Sequence, residues 1–513
     1  MSNELKTGVL LTNKTFGRGK LNKLLYKCVY TKQKEMYSCL IPYELKASFG
    51  KDPIRLFILF NDLKEKEKDE QNGHTYGKLV ETIGKVTDLK AFNEYQWYCA
   101  GFGEKQYSIQ PLQQHIYSQI KKSPQYLSNP KFKKRNNETG FHIFSIDGSD
   151  TQDYDDAFSV KYMDNVIMVS IYIANVPLFL DKTDCWDKLS DRVSTLYLST
   201  SKKPMLPFLI SENMCSLKKG ETKMALTLDI YIDLSTNTLI KTEYNTFEIQ
   251  VTNNFIYEDT CLLSDRDYQT LFNLTKTHLS KQESMNPFSV LVKDSFSLVE
   301  FWMIFMNVWS AKTLKEQNTG IFRHQKNGPI TEIIDDKLIE ILPRWITTQC
   351  SAEYSSDTKH ELSTYLHITS PIRRLVDVLN MIQIMPSEFL SEQAHQFYEK
   401  WIHKINDINC DMKTIKKIQR KSQLLQLFST KEGQTNNNET IYDAFIISLD
   451  MNNNMNNNKN KVEVYIPLLS HWSSIKVDEL QKLKFKLYSQ VKVQAFFFDK
   501  KDTLTQKIKF IIL

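Results

Sequence analysis

The chain has 513 residues, 41% of them apolar and 25% charged, and its 66 Lys+Arg against 60 Asp+Glu leave a net charge of only +6, an ordinary globular composition that defines no partner by itself. Its eight cysteines (28, 39, 99, 185, 215, 261, 350, 410) include no Cys-x-x-Cys pair, which argues against a zinc site and against a disulfide scaffold. No apolar run reaches the ~18 residues of a membrane span and MSNELKTGVL has no signal-like pattern, so the expectation is a soluble intracellular protein, cytoplasmic or nuclear.

From the N-terminus, GVLLTN, LLYKCVY, MYSCLIPYEL, IRLFILF and GKLVETIGKV read as short strands with turn residues between them and a charged loop, LKEKEKDEQ, ahead of the last. Regular short strands of this kind predict a small OB-type barrel over 1–95. Residues 96–137 read as a helical and basic linker ending in KFKKR, which is either a polyanion contact or a solvated segment. The block 138–432 is too long for one small barrel and carries most of the unusual polar residues, so it is the candidate catalytic domain. Past an Asn-rich tract, MNNNMNNNKNK, which cannot bury apolar area, KVEVYIPLL, KLKFKLY, QVKVQAFFF and QKIKFIIL alternate Lys with apolar residues. That alternation predicts a second small barrel over 433–513 with a basic face, although Lys on exposed strands is also ordinary edge protection. The fold class is α/β multidomain: an α+β catalytic domain flanked by small OB-type β-barrels.

The densest chemistry lies at IDGSDTQDYDD, where Asp147, Asp150, Asp153, Asp155 and Asp156 fall between two apolar β-prone runs, FHIFSI and AFSV…VIMVSIYIA. Acids crowded at the rim of a core raise one another's pKa unless a cation compensates, and hard divalent ions are common partners for carboxylate oxygens. Converging carboxylates can bridge two such ions and cut a phosphodiester; a solvated loop and a calcium loop are the rivals, but no frame fits the regular calcium-loop spacing. In YLHITSPIRRLVDVLNMI, Ser370 and Pro371 read as the start of a helix, putting Arg373 and Arg374 in its first turn against the usual preference for acids, which suggests a phosphate target; an Arg373–Asp377 pair is the alternative. The apolar run from Ser295 to about Gln317 predicts a buried helix with Glu300, Asn307 and Ser310 on one quadrant, serving either an internal network or a ligand. Tyr197, before a Pro-bounded loop, is a packing residue or a stacking platform for a base.

In this order, IDGSDTQDYDDA, YIANV, YLSTSKKPMLPFLISENMCSL, NFIYEDT, LVEFWMIFMN, IFRHQ and TSPIRRLVD resemble the RNB family of exoribonucleases, over about 140–385; the N-terminal strands resemble its cold-shock OB domain and 440–513 its terminal OB domain. The resemblance implies processive, hydrolytic 3′-to-5′ release of 5′-mononucleotides from single-stranded RNA with a free 3′ end, by a monomer using one or two Mg2+ (or Mn2+) ions. It implies metal ligation by Asp147, Asp153, Asp155 and Asp156, with Asp150 off the set, and catalysis through Asp155 and Arg373, the latter gripping the scissile phosphate. RNA contacts are implied for Tyr197 at the terminal base, Tyr257 at the riboses near the 3′ end and Glu300 at the last nucleotide. Departures from the pattern are one cold-shock domain instead of two, Leu375 for a tyrosine, Met381 and Ile382 for a His-Arg pair, Gln419 for a glutamate, and a second clamp aromatic for which Phe288 is the candidate. They leave a catalytically weak or inactive RNB-fold RNA-binding regulator as the alternative, and the phosphodiester chemistry that RNA and DNA share leaves DNA as an alternative substrate.

Overall fold

The computed structural model describes residues 5–19, 22–32, 35–45, 54–62, 75–103, 109–122, 132–327, 346–351, 365–429, 441–449, 461–478, 485–497 and 508–513. The charged loop after Asp62 and the Asn-rich tract lie outside these residues.

The first five expected strands are present as β1 (Leu5–Arg18), β2 (Leu24–Lys32), β3 (Glu35–Tyr43), β4 (Arg55–Asp62) and β5 (Gly77–Lys85), in the antiparallel order β3-β2-β1-β4-β5. Leu40 of β3 bridges Tyr76 just before β5, so the sheet curls into a nearly closed barrel around Leu10, Tyr26, Ile41, Leu56 and Phe60. The curl brings β1 close to β2, where a Cβ on Gly8 would collide with Cys28 Sγ. Next come α1 (Leu89–Cys99), capped by the Asp88 side chain, and α2 (Ile109–Lys122).

The central unit is a seven-stranded sheet. Its strands are β6 (Lys133–Arg135), β7 (Phe144–Asp147), β8 (Asp156–Met163) and β9 (Val166–Ala174), and, after α3 (Val176–Lys182) and the small hairpin β10 (Leu196–Tyr197) and β11 (Lys202–Lys203), also β12 (Thr222–Asp233), β13 (Leu239–Gln250) and β14 (Asn253–Ile256). The order is β14-β7-β8-β9-β12-β13-β6, antiparallel at the centre and parallel where β14 and β6 join the two edges. Strand β9 is apolar on both faces (Ile167, Val169, Ile171, Tyr172, Ile173) because it is covered on both sides, the pattern expected of a fully buried strand. Helices α4 (Arg266–Thr277) and α5 (Ser295–Glu316), the strand pair β15 (Phe322–Asn327) and β16 (Ile346–Ser351), and helices α6 (Leu375–Ile384), α7 (Glu392–Ile402) and α8 (Ile405–Ser429) complete the unit.

The C-terminal strands β17 (Ile441–Leu449), β18 (Lys461–Ile466), β19 (His471–Lys476), β20 (Gln490–Phe497) and β21 (Ile508–Ile512) form a second five-stranded sheet in the order β19-β18-β17-β20-β21. Helices α1 and α8 tie the two small sheets together: Phe92, Tyr95, Leu424, Leu425 and Phe428 share one apolar cluster with Val9 and Phe57 of the first and Ala444, Val464 and Val493 of the second.

Two expectations are corrected. KLKFKLY is no strand over its described residues 485–488, which turn with Tyr488 at φ 64 and its N–H on Ile446 O; the missing strand is HWSSIK, whose single buried residue, Ile475, gives no visible alternation. KFKKR is not simply a solvated or polyanion-facing linker: Lys133–Arg135 is an edge strand and Arg135 is 7% exposed, donating to both Asp229 oxygens at 2.7 Å while its guanidinium lies 3.6 Å from the Phe247 ring centroid. No helix among the described residues is long and apolar enough to cross a membrane.

Candidate active site

The acidic turn runs from the end of β7 to the start of β8, at the rim of the sheet as the apolar flanks predict. Its backbone is held from beneath by Ser216, fully buried, which accepts from the Tyr154 N–H and donates to Gln152 O, both at 3.0 Å. Leu217 N–H donates to Tyr154 O, and Ala174 N–H of β9 donates to Asp155 O at 2.9 Å. The sequence signalled the acids but not this clamp, which comes from sixty residues downstream by way of ENMCSL. Asp150 is exposed in the turn.

The other four acids divide into two pairs. Asp155, 4% exposed, accepts from Ile372 N–H and from Arg373 Nε, each at 3.0 Å, and Asp153 accepts from Lys202 Nζ at 2.6 Å. Asp147 and Asp156, by contrast, each keep a buried Oδ2 with no hydrogen-bond partner. The charges follow this division. Burial pushes Asp155 up to about 6 against the pull of Arg373 and the Ile372 N–H, and pushes Asp147 up to about 7, with Asp155 and Asp153 adding to the rise. Asp156 goes well above the usual carboxylate range, first through burial and then through Asp147 and Asp155. Two neighbouring carboxylates with unmet acceptors are costly unless a proton or a cation arrives.

The arginines reach the turn differently from the sequence expectation. Helix α6 starts at Leu375, not at Pro371; residues 371–373 form a tight turn in which the N–H groups of Arg373 and Arg374 return to Ser370 O. The turn stays out of the helix because Ser194 and Thr195 take hold of Arg373 O by side chain and backbone, and Asp377 Oδ1 accepts from Ser370 N–H at 2.7 Å. Arg373 therefore acts through its guanidinium and not from a helix N-terminus. Its expected alternative partner, Asp377, is taken by Arg374 at 2.9 Å, and Arg374 also touches His367. Arg373 keeps Nε on Asp155 and one terminal nitrogen on Ser370 Oγ at 2.9 Å, with its side chain 44% exposed.

Tyr197 is 40% exposed on the hairpin that carries Lys202; burial, then the charge of Asp153, pushes its phenol up. Tyr257 donates its backbone N–H to Asp147 O at 3.0 Å, and its carbonyl is held by Ser295 Oγ at the start of α5. Its ring lies 5.3 Å from that of Phe296, which is 60% exposed and was not anticipated. Glu300, one turn beyond Phe296, is exposed and not the buried acid expected from the apolar run. Asn307 and Ser310 are the buried members of that quadrant and serve the interior: Asn307 bonds Tyr365 Oη and the Ile368 N–H, and Ser310 bonds Tyr244 Oη. Phe288 packs edge-on against Tyr365, Leu375, Met381 and Ile382 are buried in the core, and Gln419 is half-buried on α8.

Among the described residues no three His, Cys, Asp or Glu side chains stand as a ready-made metal shell. The reason is on view: Asp153 and Asp155 are turned onto Lys202 and Arg373. The partnerless oxygens of Asp147 and Asp156 are nevertheless hard and buried, and once ionised would fit a hard divalent ion.

The family model for the RNB domain matches residues 135–270, which hold the acidic turn, Tyr197 and Tyr257. Ribonuclease R of Helicobacter pylori (strain J99) is 32% identical over 400 residues, covering 65% of this chain and 58% of its own length. Among solved structures, Mycoplasma genitalium RNase R in complex with ribose methylated single-stranded RNA superposes with a TM-score of 0.66 at 13% identity, over 100% of this chain and 90% of that one. Yeast Ssd1, a pseudonuclease, superposes at 0.52 with 14% identity, over 93% and 65%. The chain spans little more than half the length of its Helicobacter relative, and its residues 135–270, which include the acidic turn, match the RNB domain family.

Proposed function

We propose that the chain is a 3′-to-5′ exoribonuclease that hydrolyses single-stranded RNA processively to 5′-mononucleotides. One observation carries this reading: Arg373, half-exposed, holds Asp155 beside two carboxylates that each keep a buried oxygen without a partner. Such a place is negative where a cation is needed and positive where a phosphate would arrive.

In this reading Asp147 and Asp156, with Asp153 and Asp155, hold Mg2+ or Mn2+. When bound, the ion would supply an activated water and stabilise charge on the phosphate oxygens. Arg373, oriented by Asp155 and Ser370, directs its remaining donors to the scissile phosphate, for which a planar guanidinium is suited. Tyr197 stacks on the terminal base, Tyr257 lies along the riboses next to Asp147, and Glu300 accepts from a hydroxyl of the last nucleotide. The small barrels (1–95 and 433–513) feed RNA to the unit between them (138–432), in a monomer that works inside the cell. A 2′-hydroxyl gives Glu300 a partner that DNA lacks, which favours RNA.

The experiment is a 5′-labelled single-stranded RNA incubated with Mg2+ and the full chain, beside Asp155→Asn and beside DNA of the same sequence. Conversion of full-length RNA to a short 5′-labelled end product, with few intermediates, is expected from the wild type on RNA alone, and no conversion from Asp155→Asn. An uncut RNA with the wild type sinks the reading. The Lys202–Asp153 pair favours a second reading, an RNA-binding regulator with little turnover, which predicts salt-sensitive retention of intact RNA.

A further inference from the structure

Lys202 has no part in the cleavage proposed above. It pairs with Tyr197 across the β10–β11 hairpin, and its ammonium lies 2.6 Å from Asp153 Oδ1, 3.7 Å from Glu212 and 5.9 Å from the Tyr197 ring centroid. The hairpin is fixed from outside the sheet. Its tip residue Ser199 bonds Ser422 of α8 through both backbone N–H and Oγ at 2.9 Å, and Lys203 bonds Glu94 of α1 at 2.6 Å. Lys202 is thus no loose surface lysine: its side chain is 24% exposed and that of Asp153 only 10%.

Charge balance gives the pair its meaning. Ionised, as metal ligation requires, the four aspartates would bring four negative charges to the turn, and Arg373 and Lys202, both in hydrogen-bond contact with it, would return two. What remains is two, the charge of one divalent ion, and the oxygens left without partners belong to Asp147 and Asp156. A second divalent ion on Asp153 would face an ammonium at contact distance, a repulsion that little water screens there.

We propose that Lys202 takes the place of a second divalent cation at Asp153, so that four aspartates able to share two ions hold one. This rests on the reading of the aspartates as metal ligands. Lys202 also fixes Asp153 beside Tyr197, so the ammonium stands where a terminal nucleotide on that tyrosine would meet the acids.

The test is the Mn2+ stoichiometry of the full chain, titrated by calorimetry and by loss of the free-ion electron paramagnetic resonance signal, for the wild type, Lys202→Arg, Lys202→Met and Lys202→Gln. One ion is expected for the wild type and Lys202→Arg. Two are expected for Lys202→Met and Lys202→Gln, either of which suffices if the other fails to fold, and the added site should vanish in Lys202→Met/Asp153→Asn. Two ions in the wild type would mean that Lys202 swings to Glu212 and would overturn the inference. One ion in both wild type and neutral variants overturns it while leaving the metal site standing; none in any of them overturns both.

Discussion

Two arginine–aspartate pairs lie in the same unit and differ in almost every respect. Arg135 meets Asp229 with both terminal nitrogens at 2.7 Å; Ser170 and Tyr172 add further bonds, aromatic rings cover the guanidinium, and the side chains are 8% and 1% exposed. Arg373 meets Asp155 only through Nε at 3.0 Å, its side chain is 44% exposed, and the acids around it are left short of donors. The first pair is complete and holds β6 to the sheet. The second is incomplete in the way a site must be if a ligand is to finish it, and burial has pushed its carboxyl group up to about 6. Completeness, more than burial, separates a structural ion pair from a functional one.

Several variants break this contrast. Asp147→Asn, which neutralises an oxygen without a partner, should lower RNA cleavage by several orders of magnitude while leaving the thermal midpoint unchanged or higher, because the change relieves a crowded charge. Arg373→Ala should cost about 10²–10³ in turnover, the range for one lost transition-state donor, with a small shift in melting. Arg135→Ala should do the reverse: about 3–5 kcal/mol of stability, read by denaturant unfolding, because it strands a buried Asp229. If Arg373→Ala unfolds the chain and Arg135→Ala does not, the contrast fails.

Smaller effects sharpen it. Asp147 and Asp155 have folded pKa values raised above their ordinary 3.8, to about 7 and about 6. Between about pH 4 and 7 the folded state therefore binds more protons than the unfolded one, and stability falls as pH rises through that window. In chelator the melting temperature should drop from pH 5 to pH 8, less so in Asp147→Asn, and Mg2+ at pH 8 should restore it. Asp150→Asn should change neither cleavage nor melting, since Asp150 is exposed.

Much of this was legible in the sequence because it is written locally. Short strands punctuated by turn residues marked the first small sheet, Lys–apolar alternation marked most of the second, and apolar flanks put the acidic turn at a core rim. What escaped depends on distant partners. Ser216 clamps the turn from sixty residues away, Lys202 reaches Asp153 only because Ser422 and Glu94 fix its hairpin, and Arg135 looked solvated because Asp229 is ninety-four residues on. Ser370–Pro371 carried an ordinary helix-start signal, yet long-range bonds from Ser194 and Thr195 to Arg373 O held the chain in a turn and delayed α6. Glu300 was misjudged because an apolar run does not show which of its residues faces outward at the helix's first turns.

The most direct measurement is the product itself. Uniformly labelled single-stranded RNA, incubated with the full chain and Mg2+ and resolved by chromatography, should yield 5′-mononucleotides, about 10²–10³-fold more slowly with Arg373→Ala at equal protein; RNA recovered intact and bound to the wild type would contradict an exonuclease and leave a binding protein on the same fold.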